Sequence, residues 1–257
     1  KIIIISREPN MIKFSLRYSS YSLVLKILHK LLLPTADKVI VNSKAMYKDL
    51  SKRGIKENKL ALVHNPIDHL NIRKVTNFSR HAGNGLRLIS VGRLVKQKGL
   101  DRLIPILKNL KNVHLTILGE GSEYDNLINL VKSLDLESKV DFKGYIENPN
   151  SLIAGADYFI LPSRWEGLPN AALESLVLGT PVISFKEVEG LVDIFPYVET
   201  NNLYLCQNEY DMEQLLKHLP SRPDYKNLSL RENLLSKFNT PFQYSKKITI
   251  LLKGLVF

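Results

Sequence analysis

Short apolar runs alternate with helical patterns along the whole sequence, and this alternation restricts the fold more than any other feature. LRLISVG, VHLTILG, KVDFKG, DYFILP and TPVISF each have the length of a strand, and helical patterns such as GLDRLIPILKNL separate them. Strands that are almost entirely apolar are typical of parallel sheets covered by helices on both faces. The alternation therefore predicts an α/β fold built on a parallel sheet.

The first 80 residues repeat this pattern on a smaller scale. IIIIS, KVIVN and KLALVHN are predicted strands, and SKAMYKDLSKRG is a predicted helix with Ser43 as its N-cap and Gly54 as its stop signal. The polar, turn-prone stretch NFSRHAGNG at residues 77–85 then interrupts the alternation. We expect a domain boundary at this place.

The distribution of charge supports the same division. The formal net charge is +11, and residues 1–80 hold 16 Lys and Arg against 5 Asp and Glu, whereas residues 81–257 hold 20 of each kind. The sequence has neither the interleaved aromatic residues nor a motif of a nucleic-acid-binding protein, so we do not expect a nucleic acid partner. Cys206 is the only cysteine, which fits a reducing compartment and favours a buried apolar residue over a catalytic thiol.

Residues 19–34, SSYSLVLKILHKLLLP, form an amphipathic pattern at helical spacing within this basic region. The polar face consists of Ser19, Ser22, Lys26, His29 and Lys30, and the apolar face consists of Leu23, Val24, Ile27, Leu28 and Leu31. One interpretation is a helix that lies on an anionic membrane surface. The interpretation we favour is a helix that packs its apolar face on its own sheet and leaves the basic face in solvent.

Chemically active residues are concentrated in the loops that follow the predicted strands. Arg93, Lys96 and Lys98 follow LISVG, EGSE follows LTILG, and RWEGLPN follows FILPS. Ligands of parallel sheets bind at the carboxyl ends of the strands, where glycines permit close approach, cations attract phosphate and carboxylates accept hydroxyl hydrogen bonds. Together these loops indicate a site for a sugar nucleotide.

Two glutamates eight positions apart are the strongest single indication of that site. Glu166 lies in the loop, and Glu174 falls about one turn inside a helix that Pro169 and Asn170 open. The apolar neighbours of Glu174 argue against a merely solvated face. Trp165 beside Glu166 has two interpretations, contact with a sugar face or an anchor in the core.

The motifs in these loops resemble a known family. SVGRLVKQKGLDRLI, LTILGEGSE, VDFKGYIEN and FILPSRWEGLPNAALESLVLGTPVIS are similar, in order and spacing, to the donor domain of the retaining glycosyltransferases of the GT-B fold, in particular their family 4. That family includes enzymes of capsule, lipopolysaccharide and glycolipid assembly. The resemblance implies transfer of a sugar from a nucleoside diphosphate sugar to a polysaccharide or lipid-linked acceptor, with retention at the anomeric carbon.

The resemblance also implies roles for individual residues. Arg93 and Lys98 would neutralise the donor diphosphate, and Glu166 would lie beside the donor sugar with the backbone amides of Gly167 and Leu168. Arg93, Lys98 and Glu166 would thus be the catalytic residues.

The nucleoside end of the donor has its own implied contacts. Glu174 would accept hydrogen bonds from the ribose hydroxyls, and Gly144 and Tyr145 would lie near the base. The sequence has no Asp-x-Asp motif, so we expect neither a metal ion nor a further cofactor.

The similarity extends to the ends of the chain and implies its organisation. Residues 1–80 resemble the last part of the family's N-terminal, acceptor-side Rossmann-like domain, residues 81–238 its complete donor domain, and residues 239–257 the helix that crosses back. The resemblance implies that the first part of the N-terminal domain is lacking. The chain would then be a fragment, a split product whose other half is a separate chain, or a degenerate remnant. Lipid-linked acceptors and the basic N-terminal region indicate the cytoplasmic face of a membrane as the location.

Two alternatives to an active transferase remain at this stage. One is a non-catalytic or split-partner sugar-nucleotide-binding module, which the partial first domain suggests. The other is an enzyme of the same fold with a different reaction, such as a sugar-nucleotide epimerase, which the spacing of the two glutamates disfavours.

Overall fold

The structure, a computed structural model, describes residues 4–8, 22–73, 75, 85–220 and 228–256. All strand pairs in these residues are parallel, and the strands form one sheet of three and one sheet of six. The predicted α/β fold with parallel sheets is confirmed. The expected boundary between residues 80 and 81 lies outside the described residues and stays a prediction.

The three-stranded sheet comes from the first part of the chain and has the order β1-β2-β3. Its elements are β1 (Ile5–Glu8), α1 (Ser22–Leu32), β2 (Lys38–Val41), α2 (Lys44–Lys52), β3 (Leu60–Leu62) and α3 (His69–Arg73). Helix α2 begins as the sequence predicts, because the Ser43 hydroxyl accepts a hydrogen bond from the Met46 amide at 3.3 Å. Gly54 follows the end of α2 with a φ of +88°, a backbone conformation that favours glycine.

The six-stranded sheet has the order β6-β5-β4-β7-β8-β9. Its strands are β4 (Leu86–Val91), β5 (Val113–Leu118), β6 (Val140–Phe142), β7 (Tyr158–Leu161), β8 (Val182–Phe185) and β9 (Leu203–Cys206). The accompanying helices are α4 (Leu100–Ile106), α5 (Tyr124–Ser133), α6 (Asn150–Gly155), α7 (Asn170–Leu178), α8 (Glu209–His218), α9 (Leu228–Lys237) and α10 (Pro241–Val256). All residues of β7 and β8 are buried, as their apolar sequences predict for central strands.

Cys206 at the end of β9 is buried in the core of the larger sheet. Burial, together with the nearby Asp211 carboxylate, raises the pKa of its thiol to about 11. The thiol is therefore protonated at neutral pH and unsuited to act as a nucleophile. The structure confirms the interpretation of Cys206 as a core residue.

Helix α1 corrects the favoured interpretation of the amphipathic segment. Leu23, Val24, Ile27, Leu28 and Leu31, which we expected to pack on the sheet, have between 43% and 69% of their surface exposed. Leu33, one residue beyond the helix, is buried instead and joins the core of the first sheet. Lys26, His29 and Lys30 lie on the same side of α1 as Leu33 and border a cavity that Leu50 of α2 also lines. Within the described residues, no helix is both long enough and apolar enough to span a bilayer.

Candidate active site

The order of strands predicts where the site lies. The chain adds β5 and β6 on one side of β4 and then returns to add β7, β8 and β9 on the other side. Loops that follow the two strands at such a reversal separate and leave a crevice at the carboxyl edge of the sheet. A cleft of about 840 Å³ lies at this place, and residues of the loops after β4 and β7 line it.

The loop after β4 is held against the loop after β7 by a glycine. Lys96–Lys98 form a 3₁₀ turn that ends at Gly99, whose φ of +67° is unfavourable for other residues. A Cβ atom at Gly99 would also overlap the carbonyl oxygen of Pro162. Glycine at this position therefore brings Lys98 close to the residues that follow β7.

The carboxylate of Glu166 is the centre of the contacts between these two loops. Its Oε1 accepts hydrogen bonds from Lys98 Nζ and from the Ser163 hydroxyl, both at 2.7 Å. Gln97 Nε2 lies 3.4 Å from the other carboxylate oxygen and 2.9 Å from the Trp165 carbonyl oxygen. Because Glu166 is only 7% exposed, these donors compensate for the hydration that its carboxylate loses.

A second ion pair supports the turn that carries Lys98. Arg164 donates two hydrogen bonds of 2.8 Å to the carboxylate of Asp101 and one of 2.7 Å to the Lys96 carbonyl oxygen. Burial alone would raise the pKa of Asp101, but the hydrogen bonds from Arg164 and Lys96 outweigh it and lower the pKa to about 2. Asp101 is therefore ionised at neutral pH and fixes the position of the turn.

Glu174 lines the cleft from α7, which begins at Asn170 directly after Pro169 as the sequence predicts. Burial, reinforced by the nearby Asp68 carboxylate, raises the pKa of Glu174 to about 7. The side chain is therefore close to half ionised at neutral pH. In its ionised form both oxygens accept hydrogen bonds, which suits a pair of neighbouring hydroxyl groups.

The structure brings together most of the residues that the sequence singles out. Arg93, Lys98, Glu166, Leu168 and Glu174 all line the cleft. The Arg93 side chain is exposed and has no hydrogen bond or ion pair within the part of the chain that the structure describes, so it is available to an anion.

Three of the predicted site residues are not among those that line the cleft. Gly167 lies between two lining residues, and its carbonyl oxygen packs so closely on Gly190 that a Cβ atom at Gly190 would overlap it. Gly144 and Tyr145 follow β6 at the same edge of the sheet but are not among the residues that line the cleft, and Tyr145 is 71% exposed. The proposed contact of Gly144 and Tyr145 with a base stays a prediction.

Sequence reasoning missed several residues that shape the site. Gln97 and Ser163 orient the Glu166 carboxylate, and Asn65 lines the cleft from the first part of the chain. Ser163 could have been found, since it is a polar residue directly after an apolar strand. Nothing in the sequence distinguishes Gln97, because it is a neutral residue between Lys96 and Lys98, whose charges suggest the phosphate contacts. Among the described residues, no group of three His, Cys, Asp or Glu side chains is arranged to hold a metal ion.

Contacts of the loop after β7, of the start of α7 and of the segment after β8 connect the larger sheet to the first part of the chain. Trp165 is 4% exposed and packs into the core of the first sheet, as its interpretation as a core anchor predicts. It also lines the cleft, so contact with a sugar stays a prediction. The buried carboxylate of Asp193 accepts a hydrogen bond of 2.7 Å from the Lys44 amide, at the first residue of α2. Asn65 Nδ2 donates to Asn170 Oδ1 at 3.2 Å at the start of α7. The cleft residues are thus connected to both sheets.

Comparison with known proteins identifies the family to which this cleft belongs. The family model described as "Glycosyl transferases group 1" matches residues 71–224, which include every strand of the larger sheet. The chain belongs to this family. The predicted glycosyltransferase resemblance is confirmed at this level, and the fold is of the GT-B type.

Two similar proteins are named as glycosyltransferases, one of them of O-antigen biosynthesis. The chain is 36% identical over 198 residues to a Campylobacter jejuni protein, the N-acetylgalactosamine-N,N'-diacetylbacillosaminyl-diphospho-undecaprenol 4-alpha-N-acetylgalactosaminyltransferase. That alignment covers 76% of this chain and 54% of the relative. The chain is also 30% identical over 220 residues to the O-antigen biosynthesis glycosyltransferase WclY of Escherichia coli. That alignment covers 74% of this chain and 61% of WclY. The chain thus spans little more than half of the length of these relatives.

Solved structures support the fold over nearly the whole chain. Sucrose-phosphate synthase from Thermosynechococcus elongatus superposes with a TM-score of 0.80 at 20% identity, over 98% of this chain and 67% of that one. Anabaena Alr3699/HepE, crystallised in complex with UDP and glucose, superposes with a TM-score of 0.75 at 18% identity, over 98% and 71%. The two solved structures thus share the fold of this chain.

Proposed function

We propose that this chain is the donor-binding part of a retaining glycosyltransferase of family 4. It would transfer a sugar from a nucleoside diphosphate sugar to a hydroxyl group of a polysaccharide or lipid-linked acceptor. One observation carries the proposal: two cations and two carboxylates, Arg93, Lys98, Glu166 and Glu174, line one cleft at the reversal point of the larger sheet. This combination matches the parts of a sugar nucleotide, which joins an anionic diphosphate to two groups rich in hydroxyls.

The chemistry follows from the position of the charges. Negative charge develops on the diphosphate as its bond to the anomeric carbon breaks, and Arg93 and Lys98 stabilise that charge from positions fixed in advance. Glu166 lies next to Lys98 and contacts the sugar, while Glu174 accepts hydrogen bonds from the ribose. With retention, the acceptor oxygen takes the face of the sugar that the diphosphate leaves, and the departing phosphate oxygen is available to accept the proton of the acceptor.

The two cations also make a metal ion unnecessary for neutralising the diphosphate. Because Arg93 and Lys98 supply positive charge from the protein, we expect transfer to continue in the presence of a chelator. The assay would measure the rate of transfer with and without EDTA, using a protein that has first been dialysed against the chelator. A rate that falls to the background with EDTA and returns with Mg²⁺ or Mn²⁺ would overturn this part of the proposal.

The relatives suggest which substrates to test. The Campylobacter relative is named for a diphospho-undecaprenol acceptor, and the Anabaena neighbour was crystallised with UDP and glucose. We therefore propose a UDP-sugar as the first donor and a lipid-linked diphosphate as the first acceptor, at the cytoplasmic face of a membrane. A separate chain that completes the acceptor side is part of the proposal.

The direct test combines donor binding with the stereochemistry of the product. Calorimetric titration with UDP, GDP, ADP and their sugar conjugates should give saturable binding of one nucleotide. After transfer in the presence of the acceptor-side partner, proton NMR should find the same anomeric configuration in the product as in the donor. Inversion would refute retention, and binding without transfer to any acceptor would favour the non-catalytic alternative.

The raised pKa of Glu174 predicts a pH dependence of donor binding. If the ribose hydroxyls donate to the ionised carboxylate, only the ionised form binds well. The affinity for the donor should then increase about tenfold over the two pH units centred on pH 7, in proportion to the ionised fraction of Glu174. Calorimetry should use a sugar nucleotide, because its diphosphate has no proton that titrates in this range. Ionisation of Glu174 also opposes burial, so folding stability should decrease as pH rises from the ordinary pKa of 4.5 through 7.

Two variants separate this effect from other titrating groups. Glu174→Gln should remove the pH dependence of binding, and Asp68→Asn should move its midpoint to lower pH because the Asp68 carboxylate helps to raise the pKa. A pH profile that is identical in the wild type and in Glu174→Gln would show that another group is responsible.

A further inference from the structure

The carboxylate of Asp193 lies outside the cleft and is buried, with 0% of its side chain exposed. It belongs to a 3₁₀ turn, Glu189–Asp193, that follows β8. In the described part of the chain, its oxygens make no hydrogen bond to the larger sheet or to the helices that accompany it. A buried carboxylate is costly unless its partners compensate for the lost hydration, and the partners of Asp193 lie in the first part of the chain.

Lys44 is the first of these partners. Its backbone amide donates to Asp193 Oδ2 at 2.7 Å, and its ammonium nitrogen lies 3.8 Å from Oδ1. Lys44 begins α2, and the first amides of a helix have no partner within the helix and favour a negative charge. Asp193 thus caps α2 from the side of the larger sheet and fixes the position of that helix.

His64 is the second partner, and it leads directly to the cleft. Its Nε2 lies 3.4 Å from Asp193 Oδ1, and its ring packs on Phe238 with 5.1 Å between the ring centroids. The next residue, Asn65, lines the cleft and donates to Asn170 at the start of α7. Asp193 therefore holds the backbone directly beside a residue of the cleft wall.

The same turn also contacts the loop that carries Glu166. The backbone of Gly190 packs so closely on this loop that a Cβ atom at Gly190 would overlap the Gly167 carbonyl oxygen. Gly190 and Asp193 are only three residues apart on one short turn. A displacement of this turn after loss of the Asp193 contacts would therefore reach Glu166 and Gly167.

We propose that Asp193 is a positioning residue for sugar transfer, which joins the first part of the chain to the Glu166 loop and sets the spacing of the two sides of the cleft. The proposal rests on the proposed function, in which the donor lies against the Glu166 loop and the acceptor against the first part of the chain. Transfer requires the reacting atoms to be about 3–3.5 Å apart, and an error of about 1 Å can lower the rate about 100-fold. Asp193 acts through Lys44, His64 and Gly190 and touches neither substrate.

Replacing Asp193 with alanine should lower kcat about 10- to 100-fold and leave the affinity for the donor nucleotide within about twofold of the wild type. The affinity is retained because Arg93, Lys98 and Glu174 all line the cleft from elements of the larger sheet. Asp193→Asn keeps an oxygen that accepts from the Lys44 amide, so it should retain more of the rate and remain folded. Transfer by the full chain with the acceptor-side partner gives kcat, and calorimetric titration gives the affinity.

Asp157→Ala is the matched control for the loss of a buried carboxylate. Asp157 is also buried and also accepts a hydrogen bond from a backbone amide at 2.7 Å, but the donor, Arg87, belongs to the larger sheet itself. Neither Asp157 nor Arg87 lines the cleft. The variant should lower the free energy of unfolding, as Asp193→Ala does, and leave kcat of the folded protein unchanged.

A distance measurement tests the link without any substrate. Spin labels on Lys48→Cys in α2 and on Lys108→Cys directly after α4 occupy exposed positions on the two parts of the chain, whereas Cys206 is buried. Pulsed electron paramagnetic resonance should give one narrow distance distribution in the otherwise wild-type chain. The distribution should broaden with Asp193→Ala and stay unchanged with Asp157→Ala.

Three results would overturn the proposal. The first is a distance distribution that Asp193→Ala does not change. The second is an equal loss of kcat in Asp193→Ala and Asp157→Ala, which would assign Asp193 to stability alone. The third is a loss of nucleotide affinity as large as the loss of kcat, which would assign Asp193 to the donor site.

Failure of the proposed function gives a different result. A wild-type chain that neither binds a nucleotide nor transfers a sugar would contradict the proposed function and, with it, the role of Asp193 in transfer. The distance distribution would still decide whether Asp193 joins the two parts of the chain.

Discussion

Replacing Lys98 with alanine is expected to weaken binding of the donor nucleotide about 10- to 100-fold and to lower the rate of transfer further. The lysine ammonium group lies 2.7 Å from the Glu166 carboxylate in the cleft. Without it, the diphosphate loses a charged hydrogen-bond donor and meets an uncompensated carboxylate instead, and a hydrogen bond to a charged group contributes about 1.5–3 kcal/mol. Calorimetric titration with the preferred nucleoside diphosphate measures the effect on binding.

The double variant Lys98→Ala, Glu166→Ala separates the two contributions. If the uncompensated carboxylate causes part of the loss, removing it as well should restore some affinity for the nucleoside diphosphate without restoring transfer. Lys108→Ala, at an exposed position outside the cleft, should bind the nucleotide like the wild type. Unchanged affinity in Lys98→Ala would remove this lysine from the donor site.

Replacing Trp165 with alanine is expected to lower the free energy of unfolding by about 3–5 kcal/mol, the usual cost of truncating a buried aromatic residue. Trp165 belongs to the loop after β7 but is buried in the core of the first sheet. Its loss should therefore also weaken the connection between the two sheets and loosen the adjacent Glu166. Urea unfolding followed by circular dichroism gives the change in stability.

Trp165→Phe is the appropriate comparison, because phenylalanine keeps an aromatic ring in the same core. It should cost clearly less than the alanine variant and leave nucleotide affinity near that of the wild type. If Trp165→Ala changed the free energy of unfolding by less than about 1 kcal/mol, the ring could not be a main link between the sheets.

The sequence was sufficient for the parallel sheet and for most residues of the cleft, because both depend on local signals. An apolar run of four to six residues can be recognised by itself, and Lys98 and Glu166 each stand in a motif that directly follows such a run. The hydrogen bond between them joins residues 68 positions apart, and only the order of strands in the folded sheet brings these residues together.

The sequence could not predict the direction in which α1 turns its apolar face, or the contacts between residues far apart in the chain. Periodicity identified the apolar face of α1 but not its direction: that face is exposed, and Leu33, one residue beyond the helix, is buried. Asp193 gave no signal either, since its partner is a backbone amide of α2 that lies 149 residues earlier in the chain. Such contacts depend on tertiary packing and not on a local pattern.

The position of β4 between β5 and β7 has a consequence for the order of folding. Leu88 of β4 pairs with Leu115 of β5 on one side and with Tyr158 of β7 on the other, so one neighbour is much more distant in the chain. Contacts between distant residues form slowly, because a long loop must close first. The half-sheet β4-β5-β6 is thus able to assemble during synthesis before β7 leaves the ribosome. A nascent chain at that stage carries Lys98 without Glu166, and the cleft is completed only when the second half arrives.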